Sequence, residues 1–181
     1  AAERLLEHYA RFHVLHGEAE KTPLASKSMD FIVAGQSFHW FDREKAGLEF
    51  KRILKPGGWV VLIWNTRKTD ETEFLREYES LLDSYALDYH QVDHRKIDKQ
   101  VLSRFFGERG YRQKLFINSQ VLNYAGLEGR LLSSSYAPMA GHPNYAPMMS
   151  QLKQIFDTNQ EAGKVQMLYD TEIYYGHLAK R

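Results

Sequence analysis

His39 is the side chain in this sequence best suited to proton chemistry, because an imidazole with a free pKa of about 6.5 changes charge near neutrality. It lies in the run Gly35-Gln36-Ser37-Phe38-His39-Trp40-Phe41-Asp42, directly after a short apolar stretch. Open α/β sheets bind ligands beyond the carboxyl ends of their strands, so Gly35, Gln36 and Ser37 stand where a bound molecule would be met. Gly35 allows close approach of the backbone, and Gln36 can hydrogen-bond a ligand. An ordinary strand-to-helix turn is the alternative for this segment, and a packed, hydrogen-bonded histidine at a helix start is the alternative for His39. Trp40 and Phe41 either wall a pocket or belong to the core. Glu18 and Ala19 follow another strand-like stretch, and there too the choice lies between a ligand contact and a charged loop residue.

Two further groups invite chemistry. His90 and His94 are four residues apart with Asp93 beside them, a spacing that faces together only on a helix. The segment has no clear helical period and no third strong ligand, so a polar connector is expected there and no metal site. Tyr136, Met139, Tyr145, Met148 and Met149 either line a cavity or pack under a long loop.

The elements that must position these residues follow from the pattern of apolar side chains. Phe31, Ile32, Val33 and Ala34 form an unbroken apolar run, which fits a strand buried on both faces. Asp42 can cap a helix whose stripe falls at Ala46, Gly47, Phe50, Ile53 and Leu54. Lys55-Pro56-Gly57-Gly58 cannot continue that helix, and Trp59 to Trp64 reads as a second buried strand. The unit is therefore expected to be a right-handed βαβ crossover. Residues 1–11 have an amphipathic helical pattern, and Phe12 to His16 alternate like a strand. Downstream, helices are expected at Phe74–Tyr85, Asp98–Phe106 and Gly126–Ser133, and over the stripe Met148, Leu152, Ile155 and Phe156. Strands are expected at 114–122 and 165–175.

These pieces, in this order, resemble the class I S-adenosylmethionine-dependent methyltransferases. Asp30-Phe31-Ile32-Val33 followed by Leu54-Lys55-Pro56-Gly57-Gly58-Trp59 is similar to the fourth and fifth strands of that family. Gly17-Glu18-Ala19-Glu20 with Pro23-Leu24 is similar to the adenine-binding segment of its type 11 group. The run from Gln36 to Asp42 resembles the trans-aconitate-methyltransferase-like subgroup of small-molecule enzymes. The resemblance implies an α/β fold: a Rossmann-like, mostly parallel sheet with flanking helices and a C-terminal antiparallel strand pair. It implies S-adenosylmethionine as cofactor, with the Glu18 carboxylate on the adenine amino group, the Ala19 amide on a ring nitrogen, and Gly35, Gln36 and Ser37 near the methyl donor. It places His39 as the candidate catalytic residue and Trp40 and Phe41 against substrate. For a carboxylate acceptor His39 would orient rather than deprotonate, and Arg43 or Arg67 would hold the acid.

The resemblance covers only the later part of that domain. Its first two strands and the glycine-rich loop between strand and helix have no counterpart here. The chain is thus expected to form a single partial methyltransferase-like domain over 1–181, with an upstream segment omitted from it. Without those strands the fourth-strand edge would be open, and a homodimer paired through it is an alternative. A non-catalytic module acting as an interaction protein is the rival functional reading.

Bulk properties bound the rest. With 181 residues, 43% hydrophobic, the chain can bury one good core. A net charge of +1 with interspersed signs disfavours a nucleic-acid partner. No cysteine is present, which removes disulfides and thiol nucleophiles and fits a reducing, cytoplasmic compartment; no apolar run approaches membrane-spanning length, so no membrane is expected, and the small-molecule substrate is what the resemblance implies.

Overall fold

The computed structural model describes residues 2–89 and 98–179, the side chains of residues 2 and 3 excepted. The elements in chain order are α1 (Ala2–Leu6), β1 (Met29–Gly35), α2 (Arg43–Ile53), β2 (Leu54–Arg67), α3 (Glu73–Tyr85), α4 (Lys99–Phe106), β3 (Arg112–Leu122), α5 (Tyr124–Leu132), α6 (Tyr145–Asn159) and β4 (Val165–Gly176). The strands form one four-stranded sheet in the order β1-β2-β4-β3, with helices flanking it. Helix starts obey side-chain capping: Asp42, Thr72, Asp98 and Asn123 each accept a hydrogen bond from the amide three residues on.

β1 and β2 pair in parallel through α2, the expected βαβ unit. Their register jumps: Met29 faces Leu54, but Phe31 already faces Trp59. Lys55 to Gly58 therefore bow out of the ladder, and both glycines are required there. Gly57 sits at φ +82°, and a Cβ on Gly58 would lie 2.8 Å from Leu54 and 3.1 Å from the Asp30 carbonyl oxygen. β4 runs antiparallel to both neighbours, because its residue numbers fall as theirs rise. Along β2 and just beyond it, Trp59 meets His177, Asn65 meets Thr171 and the Lys68 amide meets Leu168. Along β3, Gln113 meets Tyr174, Asn118 meets Thr171 and Gln120 meets Tyr169.

The chain divides into two compact units, one from residues 1–63, 97–113 and 174–181, the other from 64–96 and 114–173. The first has its core around Ala34, Phe38, Ala46, Phe50, Val60, Leu62, Leu102 and Phe106. Phe105 packs edge-on to Phe38 at 4.6 Å and to Phe50 at 6.2 Å. The second unit's core gathers one face each of α3, α5 and α6 with Val165, Met167 and Tyr169 of β4.

Three expectations need correction. Residues 12–16 form no strand, and Phe12, Val14 and Leu15 are exposed. An alternating pattern supplies a strand's side chains but not a neighbour for its backbone, and among the described residues no strand pairs with it. β1 is an edge strand rather than one buried on both faces, with Phe31 61% and Val33 59% exposed. The N-terminal helix ends at Leu6 instead of continuing to residue 11.

Candidate functional site

The carboxyl end of β1 is shaped by an unusual residue. Gln36 adopts φ +57°, a left-handed conformation that non-glycine residues seldom take and that is commonly held at functional positions. Its amide donates to the Ile63 carbonyl at 2.9 Å, so the parallel ladder itself fixes the strained residue. Beside it, nothing lies within 4 Å of the position a Cβ on Gly35 would occupy. That open space is what a ligand approaching the backbone needs. Residue type alone gives no sign of the Gln36 conformation.

Beyond Gln36 the chain makes a short 3₁₀ turn over Phe38–Trp40 before α2 begins. Ser37 precedes that turn without capping it. Phe38 is wholly buried and anchors the loop. His39 is half-buried against Trp40, their rings 4.8 Å apart, while Trp40 itself is 66% exposed. Phe41 turns inward, edge-on to Phe38 at 5.9 Å and Phe50 at 6.2 Å. The candidate loop thus alternates anchors, Phe38 and Phe41, with more accessible side chains, His39 and Trp40.

Glu18 and Ala19 lie in a tight turn closed by a hydrogen bond from the Lys21 amide to the Glu18 carbonyl, 3.0 Å. The Glu18 side chain is exposed and makes no hydrogen bond or ion pair with another described residue. Its neighbour Glu20 behaves differently: its carboxylate accepts from the Asp42 amide at 2.7 Å. This bond joins the 18–21 turn to the loop after β1, so Glu18, Ala19 and the Gln36–Asp42 segment belong to one region. Hydrogen bonds from the Lys45 side chain and amide hold the Asp42 carboxyl below the usual carboxylate range.

A second fastening was not anticipated from the sequence. Glu49, on the buried side of α2, accepts from the Thr22 amide at 2.8 Å and the Thr22 hydroxyl at 2.6 Å through one oxygen. Arg52, one turn on, donates to both oxygens of Glu49 and to the Leu24 carbonyl, each at 2.7 or 2.8 Å. The Arg52 and Thr22 bonds hold the Glu49 carboxyl down at about 2. A glutamate three residues before an arginine reads as a surface helix pair. Only the position of Thr22 gives it a structural task, that of fixing residues 22–26 against α2.

A groove of about 600 Å³ in the first unit lies between α2 and α4, lined among others by Phe41, Arg43, Leu48, Val101 and Phe105. Arg43 therefore faces an accessible concavity. Arg67, the other arginine considered for an acid, is not available. It is half-buried, ion-paired with Glu79 and bonded to the Tyr89 hydroxyl at 3.0 Å. The Tyr and Met cluster also divides. Met148 is fully buried, Tyr136 and Met149 pack against that core, and Met139 is 83% exposed. His90, Asp93 and His94 lie outside the described residues. Among the described residues no group of three or more His, Asp or Glu is gathered for a metal ion, and no helix is long and apolar enough to cross a membrane.

Comparison with known proteins bears on this region. Residues 1–62, which include the 18–21 turn, β1, the loop and α2, match the family described as a methyltransferase domain. An uncharacterized methyltransferase-like protein of Schizosaccharomyces pombe is 39% identical over 72 residues, 40% of this chain and 28% of that one. An uncharacterized methyltransferase of Mycobacterium tuberculosis is 45% identical over 53 residues, 29% of this chain and 22% of that one. The alignments thus take in under a third of each relative's length. Among solved structures, one of a protein from Anaeromyxobacter dehalogenans assigned as a type II methyltransferase superposes with TM-score 0.57 at 17% identity, covering 91% of this chain and 71% of that one. A Bacillus halodurans protein assigned as a methyltransferase gives TM-score 0.50 at 15% identity, with 96% and 75% covered. The fold is the Rossmann-like fold of these methyltransferases.

Proposed function

We propose that this chain is part of an enzyme that transfers a methyl group from S-adenosylmethionine to a small molecule, with an organic acid as the acceptor class. The observation that carries the reading is the methyltransferase-domain match over residues 1–62, since that stretch is the one the structure assembles at the carboxyl end of β1. The open space beside Gly35, the strained Gln36 and the unpaired Glu18 carboxylate are compatible with a bound cofactor. In this reading Glu18 and the Ala19 amide hold the adenine, and Gly35, Gln36 and Ser37 face the methyl donor. When bound, S-adenosylmethionine supplies a methyl group on a positively charged sulfur, ready for in-line displacement.

The chain's own task is then to align an acceptor and exclude water. His39 and Trp40 project from the anchored loop to meet it. Phe41, placed among Phe38 and Phe50, supports the loop rather than the acceptor. An organic acid arrives already ionised, so His39 orients it and removes no proton. The likeness of the Gln36–Asp42 run to the trans-aconitate-methyltransferase-like subgroup supports this acceptor class.

Calorimetric titration with S-adenosylhomocysteine tests the proposal. Saturable binding is expected, weakened about tenfold in Glu18→Ala by loss of a hydrogen bond to the adenine. No binding at millimolar ligand by the folded chain sinks it.

A further inference from the structure

α2 carries a glycine that neither its backbone nor its packing requires. Gly47 lies in the interior of the helix, where glycine costs stability relative to alanine. Its φ is not positive, and a Cβ there would lie 3.6 Å from the Phe105 ring, an ordinary contact. Alanine would fit and would favour the helix. A residue that breaks a local rule without a structural return marks a place where something other than folding sets its type. What the missing side chain leaves bare is part of the groove of about 600 Å³ between α2 and α4.

The lining and the rim of that groove differ in kind. Phe41, Leu48, Val101 and Phe105 make the lining apolar, with Leu48 47% exposed and the others half-buried. Helical spacing puts Gly47, Leu48 and Lys51 on one stripe of α2, beside the stripe Ala46, Phe50 and Ile53 that it buries. On α4, Val101, Arg104 and Phe105 stand together in the same way, while Leu102 and Phe106 are buried. Arg43, Lys51 and Arg104 edge the groove, all three exposed, and none makes an ion pair or side-chain hydrogen bond with a described residue. Of the two acids there, Asp42 is paired with Lys45 at 2.9 Å, which leaves Glu44 alone against three cations. Arg43 and Lys51 are about 12 Å apart along the helix axis at 1.5 Å per residue. The excess positive charge therefore borders the whole length of an apolar surface.

We propose that the groove between α2 and α4 binds a small apolar acid, its hydrocarbon body on Leu48, Phe105 and the bare backbone at Gly47 and its acidic group on the cationic rim. The volume falls in the range of small-molecule sites, roughly 300–1,000 Å³. The Phe41 and Phe105 rings suit a flat body, and the arginine forks suit a carboxylate. A neutral apolar ligand would leave the rim charges unused, and a sugar phosphate would leave the apolar lining unused. The proposal does not rest on methyl transfer, since none of the residues assigned to the cofactor lines this groove.

The test is titration of the full chain, without cofactor, with 2-naphthoate and its neutral isostere 2-naphthamide, followed through backbone amides by NMR. 2-Naphthoate should saturate, shift the Gly47, Leu48 and Val101 amides, and bind about threefold or more tighter than the amide, the margin of solvent-screened ion pairs. Gly47→Leu fills the groove and should weaken 2-naphthoate at least about tenfold. Gly47→Ala should raise the urea midpoint, because no packing demands glycine there. Lys51→Gln combined with Arg104→Gln should remove the preference for acid over amide, and Arg76→Gln, on the exposed side of α3, should leave it unchanged. The proposal is overturned by a lack of saturation at millimolar 2-naphthoate, by shifts centred on Phe31 and Val33 of β1, by full affinity in Gly47→Leu, or by a lower urea midpoint in Gly47→Ala. If Gly47→Leu does not fold, the double variant decides, since it alters only exposed side chains: an unchanged preference there overturns the proposal. A dimer in sedimentation that Gly47→Leu dissociates would show a second copy in the groove and overturn it as well.

Discussion

Glu49→Gln removes a charge and almost no volume, so it isolates what the carboxylate does for the 22–26 segment. In the wild type the Glu49 carboxyl falls from its ordinary 4.5 to about 2. At about 1.4 kcal/mol per unit the shift corresponds to roughly 3 kcal/mol. The Arg52 side chain is 38% exposed, and solvent screening there brings the contribution to about 2 kcal/mol. Because folding depresses this pKa, the stabilisation is complete above the unfolded value near 4.5 and fades as pH drops towards 2. Urea unfolding of wild type and Glu49→Gln should therefore differ by about 2 kcal/mol at pH 7, with the gap shrinking by roughly half at pH 3. Amide exchange adds a local readout, since the Thr22 amide donates directly to Glu49. Its exchange should speed up in the variant more than that of Leu82, deep in the other core. A gap that stays constant between pH 7 and pH 3, or that is below about 0.5 kcal/mol throughout, would refute the reasoning. It would mean that residues 22–26 are held by packing rather than by this charge.

Three further predictions concern the loop after β1. Gln36→Val should cost about 1–2 kcal/mol because a β-branched residue resists the left-handed conformation, whereas Gln36→Gly should stay within about 0.5 kcal/mol of wild type, both by thermal or urea unfolding. Trp40→Ala should change stability by less than about 0.5 kcal/mol, and Phe38→Ala, at a fully buried anchor, should cost about 3–5 kcal/mol. In an assay following the S-adenosylhomocysteine left when S-adenosylmethionine gives its methyl group to an organic-acid acceptor, His39→Gln should raise KM more than it lowers kcat. A fall in kcat of about 100-fold or more at unchanged KM would instead identify His39 as a general base.

The sequence was legible where a residue's own chemistry decides its conformation. The end of α2 before Lys55-Pro56-Gly57-Gly58, the Asp42, Thr72 and Asp98 helix starts, and the stripe Met148, Leu152, Ile155 and Phe156 all appear as the local pattern predicts, although residues 55–58 form an irregular stretch within β2 rather than the expected turn before it. It misled where conformation depends on a neighbour. Phe31 and Val33 have the apolar character of a central strand, yet β1 stands at an edge. Phe12 to His16 alternate correctly, yet join no strand among the described residues. In both cases the side-chain code describes the surface a strand would present, and the missing information is the hydrogen-bonding partner of its backbone.

The candidate sites show the same limit at the level of charge. Arg67 and Arg130 are indistinguishable as residue types, and neither spacing nor composition says which has a carboxylate beside it. Glu79 lies twelve residues from Arg67, across the turn from β2 into α3, and only the fold brings them together. The partners of Arg130 come from β4 and from the turn after α5, and both are hydroxyls. Arg67, neutralised by Glu79, is scaffolding, whereas Arg130 bonds two hydroxyls and no carboxylate among the described residues. Of the two arginines that the residue types offer for an acid, Arg43 lines the accessible groove beside α2 and Arg67 is closed off by its ion pair with Glu79, a distinction that only the fold makes.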